Sequence, residues 1–305
     1  MKRILVTGAT GCVGRQALPL LLEHGWDVHA VTLEPAPADL AGPQWHEADL
    51  LDAGAARRVV AEARADALLH LAWSVTPGQW ASALENLDWV AASLALGRAF
   101  RDAGGRRIVV AGSCLEYDWD YGLCSERLTP CRPHTLYGTS KHALRLLLEA
   151  YSRETGVALA WGRIFFLYGP WEHPDRLIAS VVRSLLRGER ARCSHGRQIR
   201  DYLYAGDVAA ALVALLESEV TGAVNIASGQ AITLRELASR AGRLLQLEDR
   251  IDFGAIPAAP TDKPLVVADV SRLSTEVQWR PRVTLDDGLG RTIAWWRDRL
   301  AANPR

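Results

Sequence analysis

The first half of the chain alternates short, almost continuously apolar runs with longer segments of helical periodicity, and this alternation constrains the fold most. The apolar runs predict strands at residues 4–6, 28–31, 67–71, 108–111 and 158–162. The segments between them predict helices at residues 15–24, 54–62, 84–100 and 140–154. Strands that are apolar along their whole length are typical of parallel sheets covered by helices on both faces. With right-handed crossovers, the chain is expected to form an α/β fold with a Rossmann-type, doubly wound parallel sheet.

This rhythm ends after about residue 163, which predicts a smaller C-terminal lobe. Residues 1–165 are expected to form a dinucleotide-binding Rossmann domain, to which segments near residues 200–228 return. Residues 166–305 are expected to form mainly a substrate-binding lobe, with helices predicted at residues 176–187, 206–216, 233–245 and 292–300. A chain of 305 residues is long enough to bury a core in each lobe.

Charge and cysteine content exclude several classes of protein. The chain has 35 basic and 35 acidic side chains, so it lacks the charge excess typical of proteins that bind nucleic acid or membrane surfaces. No apolar run approaches the roughly 20 residues of a membrane-spanning helix, and we expect a cytoplasmic protein without a targeting segment. The odd number and irregular spacing of the cysteines predict neither a disulfide framework nor a metal site: Cys12, Cys114, Cys124, Cys131 and Cys193.

A glycine-rich turn lies between the first predicted strand and the first predicted helix, which is the context of a phosphate-binding turn. Gly8 would form the tight turn, Gly11 would admit a pyrophosphate near the helix N-terminus, and Gly14 would let the helix pack closely on the strand. The turn therefore predicts a dinucleotide site, with an ordinary strand-to-helix turn as the alternative. The expected cofactor-binding residues are Gly8, Thr10, Gly11, Cys12, Val13 and Gly14.

The end of the second predicted strand bears on the choice of dinucleotide. A carboxylate at this position usually accepts the ribose 2′-OH of NAD, but here the position is taken by Thr32. A neutral side chain removes repulsion of a 2′-phosphate, and Arg15 and Arg57 could approach it, so NADP(H) is favoured. NAD(H) stays possible because Glu34 could hold the ribose instead. Two residues further along are candidates for adenine contact: Asp49 and Leu50.

Tyr137 and Lys141 are four residues apart, a spacing that places both side chains on one face of a helix. A nearby ammonium would lower the tyrosine pKa, so that the phenol could exchange a proton with an alcohol or carbonyl near neutral pH. Ser113 follows a predicted strand at the carboxyl edge of the sheet, where its hydroxyl could orient a substrate oxygen. These three residues are the predicted catalytic group.

Together these features resemble the extended short-chain dehydrogenase/reductase family over nearly the whole chain. Further matching segments are Leu69–Ala72, Tyr168–Pro170, Arg200–Tyr204 and Asn225–Gly229. The resemblance implies a nucleotide-diphosphate sugar as substrate and cofactor contacts from Leu71, Ala72 and Trp73. It implies that Arg200 holds the diphosphate, with a salt bridge to Asp201 as the alternative role for that guanidinium. The remaining residues expected near the substrate are Asn86, Ser113, Cys114, Phe166 and His173.

Departures from the family pattern narrow the expected reaction. Cys114 and Leu115 replace the Asp-Glu pair of the 4,6-dehydratases, so water elimination is disfavoured. Leu115 and Trp171 replace the cysteine and histidine of fucose-synthase-type enzymes, so that C3/C5 epimerisation is disfavoured too. Phe166 stands where the family usually has an asparagine.

Hydride transfer at a sugar carbon is the chemistry that these residues still support. The favoured hypothesis is NAD(P)H-dependent reduction of a nucleotide-linked 4-keto-6-deoxyhexose, and the alternative is an NAD-retaining nucleotide-sugar 4-epimerase. A noncatalytic NADP-binding sensor is less favoured, because Ser113, Tyr137 and Lys141 are all present. The resemblance also implies a homodimer formed by the helices around residues 84–100 and 140–151, although their apolar rows also suit a core.

Overall fold

The computed structural model describes residues 2–76, 78–258 and 262–302. Its strands, in chain order, are β1 (Arg3–Thr7), β2 (Asp27–Thr32), β3 (Gln44–Glu47), β4 (Ala67–His70), β5 (Arg107–Ser113), β6 (Leu123–Cys124), β7 (Ala158–Ile164), β8 (Phe166–Tyr168), β9 (Ala191–Cys193), β10 (Ile199–Tyr204), β11 (Gly222–Ile226), β12 (Ala231–Thr233), β13 (Ile251–Phe253) and β14 (Leu265–Ala268). The α-helices are α1 (Cys12–Glu23), α2 (Ala53–Ala63), α3 (Glu85–Asp102), α4 (Leu136–Thr155), α5 (Leu177–Leu186), α6 (Ala205–Glu217), α7 (Leu234–Leu245), α8 (Ser271–Thr275) and α9 (Leu285–Ala302).

A seven-stranded sheet in the order β11-β7-β5-β4-β1-β2-β3 forms the centre of the larger lobe. All of its neighbouring strands are parallel. One face carries an apolar core that includes residues of α1 and α6, and the other a core that includes residues of α2, α3 and α4. The predicted doubly wound α/β sheet is therefore confirmed. Its edge strand β3 was not predicted, because it is short and its Trp45 and His46 are only half buried.

Two predicted helices begin earlier in the structure. α1 starts at Cys12 rather than at residue 15, because Gly11 already takes the extended N-cap conformation. α4 starts at Leu136 rather than at residue 140, because the hydroxyl of Thr135 accepts the backbone N–H of Gly138 at 3.0 Å. The earlier start of α4 places both Tyr137 and Lys141 within one helix.

The smaller lobe is built on a second sheet, with β12-β10-β14-β6 in order and β8 paired to β10. Helices α5, α7 and α9 enclose an apolar cluster that includes Tyr168, Leu237 and Trp296. α9 begins well before the predicted residue 292, because its first turns already pack Leu289 into this cluster. Between these elements the chain returns to the larger lobe, where α6 packs on α1 and β11 pairs with β7. Among the described helices, none is both long and apolar enough to cross a bilayer.

Candidate active site

The glycine turn lies between β1 and α1, at the carboxyl edge of the large sheet. Gly8 has a φ of +67°, and a Cβ atom there would lie 2.7 Å from the backbone nitrogen of Ala72. A Cβ atom on Gly14 would lie 2.2 Å from the carbonyl oxygen of Gly8, so close packing of α1 against the turn requires glycine. Thr10 and Gly11 are exposed, which leaves the N-terminus of α1 open to an anion.

The first residues of α1 connect this turn to the smaller lobe. The thiol of Cys12 donates a hydrogen bond to the carbonyl oxygen of Pro170, 3.3 Å away, in the loop after β8. Burial raises the pKa of this thiol far above its ordinary value, with a further contribution from the carboxyl group of Glu172. Cys12 is therefore suited to packing and not to nucleophilic chemistry. Val13 is half buried against the core beneath the turn.

The end of β2 offers less positive charge than the sequence suggests. Thr32 is buried, and its hydroxyl accepts the backbone N–H of Glu34 at 3.2 Å. The guanidinium of Arg15 lies 2.7 Å from the carboxylate of Asp39, and it also stacks on the Trp171 ring at 3.7 Å. The charge of Arg15 is therefore already paired with a carboxylate, whereas Arg57 is exposed on α2. Asp49 accepts the backbone N–H of Leu51 at 2.9 Å, and Leu50 is buried beside it.

The three predicted catalytic residues come together where β5 ends against α4. Ser113 is the last residue of β5, and its hydroxyl is near enough to the Tyr137 phenol to act on the pKa of that phenol. The ammonium of Lys141 donates to the carbonyl oxygen of Ala111 at 2.8 Å, and it lies 6.0 Å from the centre of the Tyr137 ring. All three residues are at least nine-tenths buried. The arrangement holds one hydroxyl, one phenol and one amine around a single point at the edge of the sheet.

Burial is the main cause of the pKa shifts of Tyr137 and Lys141. It raises the pKa of the Tyr137 phenol well above 10, although the hydrogen bond to Ser113 and the charge of Arg176 act in the opposite direction. Burial also lowers the pKa of Lys141 to about 7, against the influence of Glu116. Burial outweighs the groups that lower the phenol pKa, so the expected net lowering of the tyrosine pKa is not found, and Lys141, with a pKa of about 7, is only partly charged at neutral pH.

Aromatic side chains enclose the catalytic group. The ring of Trp73 lies 3.8 Å from the ammonium of Lys141 and meets the Tyr137 ring edge-on at 6.1 Å. The indole N–H of Trp73 donates to the side-chain oxygen of Asn86 at 2.8 Å. The amide nitrogen of Asn86 donates in turn to the carbonyl oxygens of Trp80 and Ala83, each at 2.8 Å. Asn86 thus has its amide occupied by protein partners, and it fixes the position of Trp73.

The two other residues of the predicted cofactor wall follow β4. Ala72 is buried, and its backbone N–H donates to the hydroxyl of Thr7 at 3.3 Å, which ties this segment to β1. Leu71 is half buried against the core on the α1 side of the sheet.

No free acid adjoins Ser113 among the described residues. Cys114 is buried in an apolar cluster, and burial raises its thiol pKa far above the ordinary value. Glu116 is fully buried, and its carboxylate accepts the N–H groups of Ser113, Trp161 and Arg163 at 2.8, 2.7 and 3.0 Å. Glu116 is therefore occupied by structural hydrogen bonds and cannot serve as a second proton donor to a substrate.

Arg200 lies in the smaller lobe on β10 and is almost fully buried. Its guanidinium pairs with the carboxylate of Asp262 and lies 5.4 Å from the ring of Phe166. The alternative of a salt bridge to Asp201 is wrong, because the Asp201 carboxylate accepts hydrogen bonds from Ser228 and Gly229. A phosphate group would have to compete with Asp262 for Arg200.

Several residues near the site were not predicted to act there. Trp80 contacts the Tyr137 ring edge-on at 5.0 Å, and Arg176 lies over the Trp80 ring at 5.6 Å. Glu172 is buried, whereas the neighbouring His173, the predicted substrate ligand, is exposed by 44% and lies 3.8 Å from the carboxylate of Asp175. The sequence signal for Glu172 is its position two residues after the Tyr168–Pro170 motif, at the edge where ligands bind.

The family model and the similar proteins with known names indicate the same family. The model of the NAD dependent epimerase/dehydratase family matches residues 4–227. UDP-glucuronic acid decarboxylase 1 of Xenopus tropicalis is 27% identical over 98% of this chain and 73% of its own length. The UDP-glucose 4-epimerase of Thermus thermophilus, solved in complex with NAD, is 25% identical with a TM-score of 0.83 and covers 97% of this chain and 99% of that chain. MoeE5, solved in complex with UDP-glucuronic acid and NAD, is 29% identical with a TM-score of 0.84 and covers 98% of this chain and 100% of that chain.

Proposed function

The chain belongs to the NAD-dependent epimerase/dehydratase family, and from this premise we propose that it catalyses hydride transfer at a carbon of a nucleotide-linked sugar. The observation that carries the proposal is that Tyr137 is the only proton-transfer group that the described residues bring to Ser113. Cys114 lies in an apolar cluster, and the carboxylate of Glu116 is occupied by structural hydrogen bonds. A site with one such group supports reversible oxidation of an alcohol, but it lacks the second acid or base that water elimination needs.

The residues present fit a nicotinamide dinucleotide. Gly8, Gly11 and the N-terminus of α1 form a cradle for a pyrophosphate, and a side chain at position 8 would clash with the backbone of Leu71 and Ala72 that packs against this turn. The dinucleotide would supply the hydride acceptor or donor. Ser113 would hold the reacting sugar oxygen by a hydrogen bond, and the Tyr137 phenol would give a proton to that oxygen or take one from it. Lys141 would adjust the charge around the phenol, since its own pKa of about 7 lies near working pH.

The favoured form of this activity is an NAD-retaining 4-epimerase acting on a nucleotide-diphosphate hexose. Its support is the pairing of Arg15 with Asp39, because a 2′-phosphate would have to compete with that carboxylate for one of the two cations within reach. The relatives with NAD bound are consistent with the same choice. The second candidate is an NADPH-dependent 4-ketoreductase acting on a 4-keto-6-deoxyhexose, and it is favoured by the neutral Thr32 at the end of β2. Arg200 is the proposed diphosphate ligand in both cases.

Two measurements test the proposal. The purified protein is first extracted and assayed for retained nucleotide, and NAD, NADH and NADPH are then titrated by calorimetry. Retained or tightly bound NAD supports the epimerase, whereas tight, exchangeable NADPH supports the reductase. Next, a panel of UDP- and dTDP-hexoses, with added NAD, and of their 4-keto derivatives, with added NADPH as hydride donor, is incubated with the protein and followed by NMR.

The matched control is Tyr137→Phe, which keeps the ring but removes the phenolic proton. We expect a loss of turnover of about 10²-fold or more, with dinucleotide affinity unchanged. A protein that converts no sugar of the panel, and whose properties are the same in wild type and Tyr137→Phe, would instead fit the noncatalytic sensor.

A further inference from the structure

A cavity of about 640 Å³ opens beside the glycine turn. One side is formed by Cys12 and by residues 74–76, which follow the neighbouring strands β1 and β4. The other side is formed by residues 171–174 and by parts of α5 and α9. The volume is in the range of small-molecule sites, and the cavity lies at the carboxyl edge of the large sheet, where open α/β sheets bind ligands.

The lining combines positive charge with aromatic surface. Its guanidinium groups belong to Arg183, Arg187 and Arg299. Arg183 lies 5.3 Å from the ring of Trp296, and Arg299 lies 5.2 Å from the ring of Trp295. Such a lining is suited to an anionic ligand. A single carboxyl group, that of Glu172, faces the same space among the lining residues that the structure describes.

Three polar atoms of this lining are buried without a hydrogen-bond partner among the described residues. They are the Oε2 atom of Glu172, whose side chain is more than nine-tenths buried, the Nε atom of Arg183 and the indole Nε1 atom of Trp296. Leaving such atoms unpaired is unfavourable, and the charged pair among them, Glu172 and Arg183, points to a polar ligand that satisfies them. Burial raises the pKa of Glu172 to about 8, although Arg176 and a hydrogen bond with the Gly169 backbone oppose the shift. At pH 7 the carboxyl group is therefore mostly neutral and can donate a hydrogen bond.

We propose that Glu172, as a neutral carboxylic acid, and Arg183 both donate hydrogen bonds to phosphate oxygens of the dinucleotide bound at the glycine turn. The inference rests on the proposed function and adds a second phosphate-binding group, on the side of the site opposite the N-terminus of α1. A neutral acid donates to a phosphate oxygen, whereas an ionised carboxylate at the same position would repel it. Ionisation of Glu172 would therefore weaken dinucleotide binding.

The groups beside Glu172 do not produce this pH dependence, and Lys141, whose pKa of about 7 also falls in the range, is unchanged in the Glu172→Gln variant that isolates Glu172. Burial keeps the thiol of Cys12 and the phenol of Tyr202 neutral, because it raises the pKa of both well above their ordinary values. His173 is half exposed beside Asp175 and next to Glu172 in the chain, so a His173→Gln variant serves as the control for this neighbour. The remaining charged groups near Glu172 are guanidinium groups: Arg176, Arg183, Arg187 and Arg299.

The test is calorimetric titration of the full chain with NAD and with NADH between pH 6.5 and 9.5. For the wild type we expect constant affinity below about pH 8 and at least tenfold weaker binding at pH 9.5. Glu172→Gln keeps a neutral donor, so its affinity at pH 7 should lie within about threefold of wild type and should not change with pH. Glu172→Ala should bind about tenfold more weakly at pH 7, and His173→Gln should keep the wild-type slope.

Two results would overturn the inference alone: wild-type binding that is independent of pH, or Glu172→Gln with the same slope as wild type. Failure of both dinucleotides to bind at any pH would refute the proposed function together with the inference. Circular dichroism and thermal unfolding of each variant establish that it is folded. Loss of the slope in Glu172→Gln, which keeps Lys141, assigns the pH dependence to Glu172, and wild-type binding that is independent of pH overturns the inference without any variant.

Discussion

Glu116 should be among the side chains on which the stability of this protein depends most. It is fully buried, and one carboxylate oxygen accepts the Trp161 indole N–H and the Ser113 backbone N–H, while the other accepts the Arg163 guanidinium. In Glu116→Gln the first oxygen can be retained, but the second becomes an NH₂ group that faces Arg163. Because Arg163 is itself 2% exposed, its charge would lose its partner without gaining water.

Removing one partner of a buried ion pair typically costs about 3–5 kcal/mol, and we expect a loss of this size for Glu116→Gln. The assay is urea unfolding followed by tryptophan fluorescence, with the transition midpoints compared at unchanged slope. The control is Glu236→Gln on α7, where the partner Arg240 is well exposed, and an effect of at most about 1 kcal/mol is expected. A Glu116→Gln protein within about 1 kcal/mol of wild type would refute the view that Arg163 depends on this carboxylate.

Two further predictions follow from burial and exposure. The folded pKa of Lys141, about 7, lies below its ordinary 10.5, so between these values the unfolded chain binds more protons and the contribution of this group to stability rises with pH. The unfolding free energy of wild type minus that of Lys141→Met should therefore increase between pH 7 and 9, by at most about 1.4 kcal/mol per pH unit in urea titrations, and parallel curves would contradict the pKa. We propose that the exposed leucines Leu87 on α3 and Leu147 on α4, 56% and 50% exposed, form the contact of the homodimer that the family resemblance implies, so Leu147→Glu should give a monomer in sedimentation experiments in which wild type is a dimer. Leu128→Glu, at a position that is 83% exposed elsewhere, should leave the dimer intact, and a monomeric wild type would refute the dimer.

The sheet and the glycine turn could be predicted from sequence because their signals are local. Continuous apolar runs of the right length predict buried parallel strands. The turn has no room for a side chain at positions 8 and 14, and the glycines at these positions are visible in the sequence. The strand β3 and the starts of α1 and α4 were missed for equally local reasons. A short edge strand buries little, and the helix starts depend on the caps Gly11 and Thr135.

The candidate catalytic trio was predicted as a set of residue types with a helical spacing, and in the structure Ser113 ends β5 where Tyr137 and Lys141 lie on the first turns of α4. Its electrostatics were not predictable from spacing. The expected effect of Lys141 on Tyr137 assumed a charged ammonium, but Trp73 and the surrounding core bury that amine and bring its pKa to about 7. The pairing of Arg200 with Asp262 instead of its neighbour Asp201 depends equally on which chain segments the fold brings together.

The sequence by itself therefore determined the fold class, the family and the residue types of the site, since these follow from periodicity and from motifs that span a few residues. Only the tertiary structure decided which of these groups are charged, paired or open to a ligand. Arg15 is neutralised by Asp39, 24 positions away, and Glu172 is buried without a partner for its Oε2 atom among the described residues. Charge and solvation are properties of the whole surroundings of a group, and distant segments of the chain supply those surroundings.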